Sequence, residues 1–187
     1  MRLRLLCLLL LLAGIAFGQE TLAVGKKVPD FELINQDSKP VKLSQYLGKV
    51  VVVTFLYTRC PYPDKCMMLA EKLGKTRALL DKLQAGDKLQ VLSITIDPEH
   101  DTPDRLKLYA QGNDRAASNW AFLTGKPADV AKIAAMFGVI YWDEKGVVEH
   151  NLRTAIIDPQ GKLNTLIRGN DWKPGEVSAI IKDLLPK

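Results

Sequence analysis

The sequence has few of the cysteines and histidines from which most zinc centres are built, and its basic residues are scattered rather than clustered. Its 187 residues include three cysteines and two histidines, which do not show the ligand spacing of a four-coordinate zinc site. No run of five or more residues carries charge of one sign, and the formal net charge is only +5, which argues against nucleic-acid binding. With 47% hydrophobic and 25% charged residues, the chain has the composition of one globular domain with a proper core.

Long apolar runs are also scarce, and the longest lies at the N-terminus. Arg2 and Arg4 precede the run Leu5–Phe17, whose length of about 13 residues falls short of the ~20 that a membrane-spanning helix requires. Gly18 supplies a small residue where a signal peptidase cleaves, so we expect Gln19 to begin the mature protein. The sequence therefore predicts export to the periplasm or another extracytoplasmic compartment. An uncleaved signal would instead anchor the protein to the membrane.

The predicted signal peptide covers residues 1–18 and leaves a single domain over residues 19–187. Cleavage removes Cys7, so the mature protein keeps only Cys60 and Cys66. In an oxidising compartment these two could form a purely structural disulfide. A domain of this size can be stable without a disulfide, and the position of the cysteine pair between a strand and a helix favours a functional role.

A buried strand over Val50–Leu56 is the centre of the predicted fold, because its apolar, β-branched residues leave neither face polar. Strands and helices alternate around it and give the order β-α-β-α-β-α followed by β-β-α. This order predicts a three-layer α/β domain in which helices flank a central mixed sheet. An N-terminal β-hairpin of Val28–Leu33 with Val41–Leu43 extends it. The predicted helices are Met67–Leu83, Pro103–Gln111, Ala128–Phe137 and Gly175–Leu185.

Cys60 and Cys66 flank a loop of five residues that follows the buried strand. Pro61 and Pro63 restrict this loop, so the two sulfurs are expected to lie close together even when reduced. Arg59 and the N-terminus of the next helix both favour the thiolate form. Two such thiols can exchange electrons as a dithiol–disulfide pair. Alternatively, as soft donors, they can bind a soft metal, above all copper(I).

The two histidines differ in what their positions allow. His150 follows the predicted strand Val147–Glu149 and precedes the strand Thr154–Ile157. A lone histidine after a strand is commonly a surface residue, but this loop can arch over the cysteine loop at the same sheet edge. His100 lies in a charged loop, where an exposed position is expected. From the residues alone, both interpretations of His150 stay open.

Four further side chains near the cysteines could contribute to a site. Met67 and Met68 follow Cys66 directly, and although thioethers bind copper(I), methionines that open an amphipathic helix usually fill the core. Asp97 and Asp101 lie near the sheet edge, where we expect loop hydrogen bonding or helix capping. One of them could also accept a hydrogen bond from a metal ligand or from the loop that carries it, and so orient that ligand.

The mature chain resembles, over essentially its whole length, the Sco/SenC family of exported proteins, and four segments carry the resemblance. In chain order, they carry an N-terminal motif, the strand with the cysteine loop, the acidic loop and the distal histidine. The corresponding segments are Val28–Phe31, Thr54–Pro61 with Cys66, Ser93–Pro103 and His150–Gly161. The resemblance implies a thioredoxin-like fold.

The resemblance also implies a copper site, for Cu(I) or Cu(II), made of Cys60, Cys66 and His150. It implies delivery of copper to the binuclear copper centre of cytochrome c oxidase, or reduction of the cysteines of that centre. The expected partner is the copper-bearing subunit of that oxidase or another copper or thiol protein. The alternative is a thiol–disulfide oxidoreductase that uses Cys60 and Cys66 without metal.

The chain departs from the usual family pattern at three places. Five residues rather than three separate the cysteines, Met67 stands where a proline is common, and His100 replaces an arginine in the acidic loop. The longer loop is expected to change the separation of the two sulfurs.

Overall fold

The structure, a computed structural model, describes residues 21–112 and 117–186. The predicted signal peptide of residues 1–18 lies outside the described residues. Across the two described ranges, no helix combines the length and the apolar character needed to cross a membrane.

The central sheet is mixed, as the sequence predicts. The strands of the described residues are β1 Glu32–Asn35, β2 Pro40–Lys42, β3 Val50–Leu56, β4 Leu89–Thr95, β5 Trp120–Thr124, β6 Tyr141–Glu144, β7 Val147–His150, β8 Arg153–Ile157 and β9 Leu163–Arg168. Seven of them form one sheet in the order β2-β1-β5-β4-β3-β8-β9, while β6 and β7 form a separate two-stranded sheet. The strands β3, β4 and β5 run parallel. The remaining pairs in the large sheet are antiparallel.

Helices cover both faces of this sheet. The α-helices of the described residues are α1 Met68–Asp81, α2 Pro103–Gly112, α3 Pro127–Met136 and α4 Pro174–Leu184. Helix α1 packs against α4. Just after α3, Phe137 contacts Phe55 of β3 with 5.9 Å between ring centroids. Every residue of β3 and β4 is buried, so neither face of the sheet centre meets solvent and the three predicted layers are present.

The predicted N-terminal hairpin is present, but its first strand is Glu32–Asn35 rather than Val28–Leu33. Strands β1 and β2 pair antiparallel, and β1 then joins the edge of the sheet through Ile34 opposite Thr124 of β5. The second hairpin, β6–β7, stands apart from the sheet. Lys145 and Gly146 at its turn have φ values of 55° and 85°, the left-handed conformations that a tight two-residue hairpin turn requires.

The helix that follows the cysteine loop begins close to the predicted Met67, since α1 begins at Met68. The sequence did not predict the π-helical turn over Pro63–Met67 that precedes it and makes the helical segment begin earlier in the chain. A π-turn closes i→i+5 hydrogen bonds and so takes up more chain per turn than an α-helix. The turn brings Cys66 into the core just before α1, which ends at Asp81 rather than Leu83.

Candidate thiol and metal site

The two cysteines lie at the carboxyl end of β3 and differ in exposure. Cys60 follows the strand by a short turn in which its amide donates to the carbonyl oxygen of Tyr57, and its side chain is half-buried. Cys66 lies in the π-turn and is only 1% exposed. Both are free thiols. The loop therefore presents one accessible and one inaccessible sulfur.

His150 reaches the buried cysteine. It is the last residue of β7, is 7% exposed, and places its Nε2 atom 3.5 Å from the Sγ atom of Cys66. Its Nδ1 atom lies 3.0 Å from the carbonyl oxygen of Asn151. Because a carbonyl oxygen can only accept, Nδ1 carries the proton, and Nε2 turns its lone pair towards the sulfur.

Asn151 fixes the backbone around this imidazole. Its amide side chain accepts from the Ile140 amide at 3.1 Å and donates to the Gly138 carbonyl oxygen at 3.1 Å. Burial lowers the pKa of His150, so the ring is neutral at pH 7. A neutral, oriented imidazole with a bare nitrogen is the form that binds metals.

The thiols of Cys60 and Cys66 interact with each other, and their acidities move apart. The hydrogen bond from Cys66 lowers the pKa of Cys60 to about 6, with further help from the backbone at Tyr62. The same interaction, together with burial, raises the pKa of Cys66. At neutral pH the pair therefore holds a thiolate at Cys60, stabilised by the protonated Cys66. This asymmetry suits a nucleophile with a buried partner thiol.

A buried carboxylate holds the base of the cysteine loop. Asp101 is fully buried and accepts from the amide of Thr58 at 3.0 Å and from its hydroxyl at 2.5 Å. It also accepts from the hydroxyl of Thr95 at 2.6 Å. The loop hydrogen bonding expected of Asp101 is thus present, and it fixes the residue two positions before Cys60.

Arg59 does not act on the thiolate as the sequence suggested. Its Nε atom donates to the carboxylate of Asp97 at 2.7 Å, and its Nη1 atom donates to the carbonyl oxygen of Gly146 at 2.9 Å. The guanidinium therefore ties the cysteine loop to the acidic loop and to the β6–β7 turn. The low pKa of Cys60 has its main source in Cys66 instead.

Glu149 connects the cysteine loop to the histidine strand, and sequence reasoning missed it. One carboxylate oxygen accepts from the hydroxyl of Tyr62 at 2.6 Å, and the other lies 2.9 Å from the Nζ atom of Lys65. Lys65 also sits over the Tyr62 ring, 4.1 Å from its centroid. The opposite charges of Lys65 and Glu149 were the available signal, but their separation of 84 positions in the sequence gave no reason to pair these two residues.

The comparisons with known proteins agree with this architecture. The SCO1/SenC family model matches residues 19–186. The chain belongs to the SCO1/SenC family. A mitochondrial SCO1 homologue from mouse is 28% identical to this chain over 157 residues, which cover 81% of this chain and 53% of the mouse protein. The chain thus spans about half the length of that relative.

Solved structures of SCO1/SenC proteins show the same fold. A SCO1/SenC family lipoprotein from Bacillus anthracis superposes with a TM-score of 0.76 at 27% identity, covering 87% of this chain and 99% of that one. Bradyrhizobium japonicum ScoI, solved with copper bound, superposes with a TM-score of 0.69 at 25% identity, covering 86% and 100%. The predicted family and fold class are confirmed.

The other candidates from the sequence lie outside the Cys66–His150 contact. His100 interacts with the guanidinium of Arg105 in the acidic loop. Met67 is 48% exposed and so is not a core residue. The sulfur of Met68 accepts a weak hydrogen bond from the side-chain amide of Asn170 at 3.6 Å. Within residues 21–112 and 117–186, no three His, Cys, Asp or Glu side chains already surround a common metal position. The geometry is a Cys66–His150 pair with Cys60 beside it.

Proposed function

We propose that this protein is a metallochaperone that carries copper as cargo on Cys60, Cys66 and His150. The observation that supports this most strongly is the 3.5 Å approach of the bare Nε2 atom of His150 to the sulfur of Cys66. Two thiolates and a neutral imidazole are soft and borderline donors, which suit copper(I). Copper bound to the related ScoI protein from Bradyrhizobium japonicum supports the same cargo.

The proposed recipient is the binuclear copper centre of cytochrome c oxidase, as membership of the SCO1/SenC family implies. The proposed location is the periplasm or another extracytoplasmic compartment, reached through the signal peptide of residues 1–18. The description of the Bacillus anthracis relative as a lipoprotein supports a place outside the cytoplasm. Cys60, half-buried, is the ligand that a recipient would meet first.

A second candidate function is thiol–disulfide exchange with a client protein, and the pKa of about 6 at Cys60 favours it. The Cys60 thiolate would attack a client disulfide, form a mixed disulfide and release one client thiolate. Cys66, once deprotonated, would then attack the Cys60 sulfur and release the second client thiolate. The client gains two electrons, and Cys60 and Cys66 lose them as a disulfide.

Competition for Cu(I) between the reduced protein and a chromophoric chelator tests the copper proposal. We expect Cys60→Ala, Cys66→Ala and His150→Ala each to weaken binding, because each removes one donor. The matched control is His100→Ala, which removes the other histidine, placed beside Arg105, and should leave the affinity unchanged. If His150→Ala binds copper like the unaltered protein, the three-ligand assignment is wrong, and redox exchange through the two cysteines becomes the better account.

A further inference from the structure

The inner half of the candidate site is buried, and the cysteine loop beside it is tied to the strand that carries His150. Cys66 is 1% exposed and His150 is 7% exposed, whereas Cys60 remains half-buried. Tyr62 lies just before the π-turn that contains Cys66, and Lys65 lies within it. A partner that is to reach Cys66 therefore needs the site to open, or it acts through Cys60.

The cysteine loop is held by Glu149, the residue directly before His150. Both oxygens of this carboxylate are engaged, one by the Tyr62 hydroxyl at 2.6 Å and one by the Lys65 ammonium at 2.9 Å. The ammonium also lies 4.1 Å from the centroid of the Tyr62 ring. The three side chains form a closed set, which we call the loop clamp, and each contacts the other two.

The loop clamp is local and partly open to solvent. The side chains of Lys65 and Glu149 are 30% and 23% exposed, so solvent ions can screen their attraction. A second tie, from the Asn170 side chain to the Asp64 carbonyl oxygen at 2.6 Å, holds the same segment but joins it to a different part of the chain. Tyr62, Asp64 and Lys65 each make contacts within the described residues. Of these contacts, only those of the loop clamp reach the strand that carries His150.

We propose that Glu149 is a positioning residue that closes the cysteine loop over Cys66 and His150 and makes Cys60 the first group a partner meets. The proposal rests on the proposed function, because it assigns an order in which the ligands become reachable. Opening of the clamp would release Cys66 and His150 together, since Glu149 sits next to one and grips the loop that contains the other.

Alkylation of Cys66 by iodoacetamide measures this opening without copper. The reduced full chain carrying Cys60→Ala is the background, and peptide mass spectrometry assigns the reaction to Cys66 in each variant. We expect Glu149→Ala to speed alkylation at least about tenfold, because the loss of even one of its two charge-assisted contacts corresponds to about that factor. Tyr62→Phe should give a smaller increase, because it leaves the ion pair between Lys65 and Glu149.

Controls separate opening of the loop from general destabilisation. Glu144→Ala removes an exposed carboxylate from the same hairpin and should leave the rate unchanged. Raising the salt concentration should speed alkylation when Glu149 is present, and this response should vanish in Glu149→Gln, which retains an acceptor for Tyr62 but not the charge. Low concentrations of urea should hardly alter the rates, because a local opening exposes little surface.

The proposal is overturned if Glu149→Ala alkylates at the background rate, or if its faster reaction rises steeply with urea as global unfolding would. An equal increase in Glu144→Ala also overturns it. Failure here leaves the copper competition experiment untouched, because that experiment compares ligand variants. Conversely, loss of the copper proposal would leave the alkylation rates as they are, so the two failures can be told apart.

Discussion

The buried carboxylate of Asp101 offers the sharpest prediction about how the site is held. Asp101→Ala leaves the Thr58 amide, the Thr58 hydroxyl and the Thr95 hydroxyl without their acceptor in a region closed to water. Each hydrogen bond to a charged group contributes about 1.5–3 kcal/mol, but such contributions do not add when they share one acceptor. A buried donor left without its acceptor typically costs about 1–3 kcal/mol, so with three donors orphaned we expect the unfolding free energy to fall by about 3 kcal/mol or more.

Urea unfolding followed by tryptophan fluorescence measures this loss. Asp101→Asn keeps one oxygen that can accept from the Thr58 amide and the Thr95 hydroxyl, and its amide donor then faces the Thr58 hydroxyl, which can accept; because the charge is lost, we expect a destabilisation about half as large. The control is Asp104→Ala, which removes an exposed carboxylate from the first turn of α2 and should cost less than about 1 kcal/mol. A loss below about 1 kcal/mol in Asp101→Ala, similar to the control, would refute the reasoning.

Two further predictions concern the thiols and the backbone. Alkylation of Cys60 should follow a titration with a midpoint near pH 6, and Cys66→Ala should move it up towards 9, because Cys66 is the main cause of the lowered pKa; an unmoved midpoint contradicts this. Gly138→Ala should lower the unfolding free energy by about 1–2 kcal/mol, because φ is +67° and the new Cβ would lie 2.8 Å from the Thr21 hydroxyl. Gly112→Ala, where the Cβ meets nothing, should not destabilise, and equal losses in thermal or urea unfolding would refute the contrast.

Local patterns predicted most of the fold. The strand Val50–Leu56 is observed with the predicted bounds, because an unbroken β-branched run between polar segments has few other solutions. The helix predicted over Pro103–Gln111 is also observed, and α2 begins at Pro103. The order of the strands in the sheet was not predictable in this way, since it depends on pairings between distant parts of the chain.

The site was predictable only in part, for the same reason. The sequence pointed to Cys60, Cys66 and His150, and the structure brings the last two into contact. It could not reveal Glu149 as the anchor of Tyr62 and Lys65, because the contact spans more than eighty positions. Nor could it predict the direction of Arg59, which depends on where the β6–β7 turn comes to lie.

The central claim is that Cys60, Cys66 and His150 bind one copper ion together. X-ray absorption at the copper edge of the Cu(I)-loaded, reduced protein tests it most directly, since scattering distinguishes sulfur from nitrogen donors. We expect two sulfur ligands and one imidazole nitrogen, with the nitrogen lost in His150→Ala and retained in His100→Ala. A spectrum without imidazole scattering, or one that His150→Ala leaves unchanged, would contradict the claim.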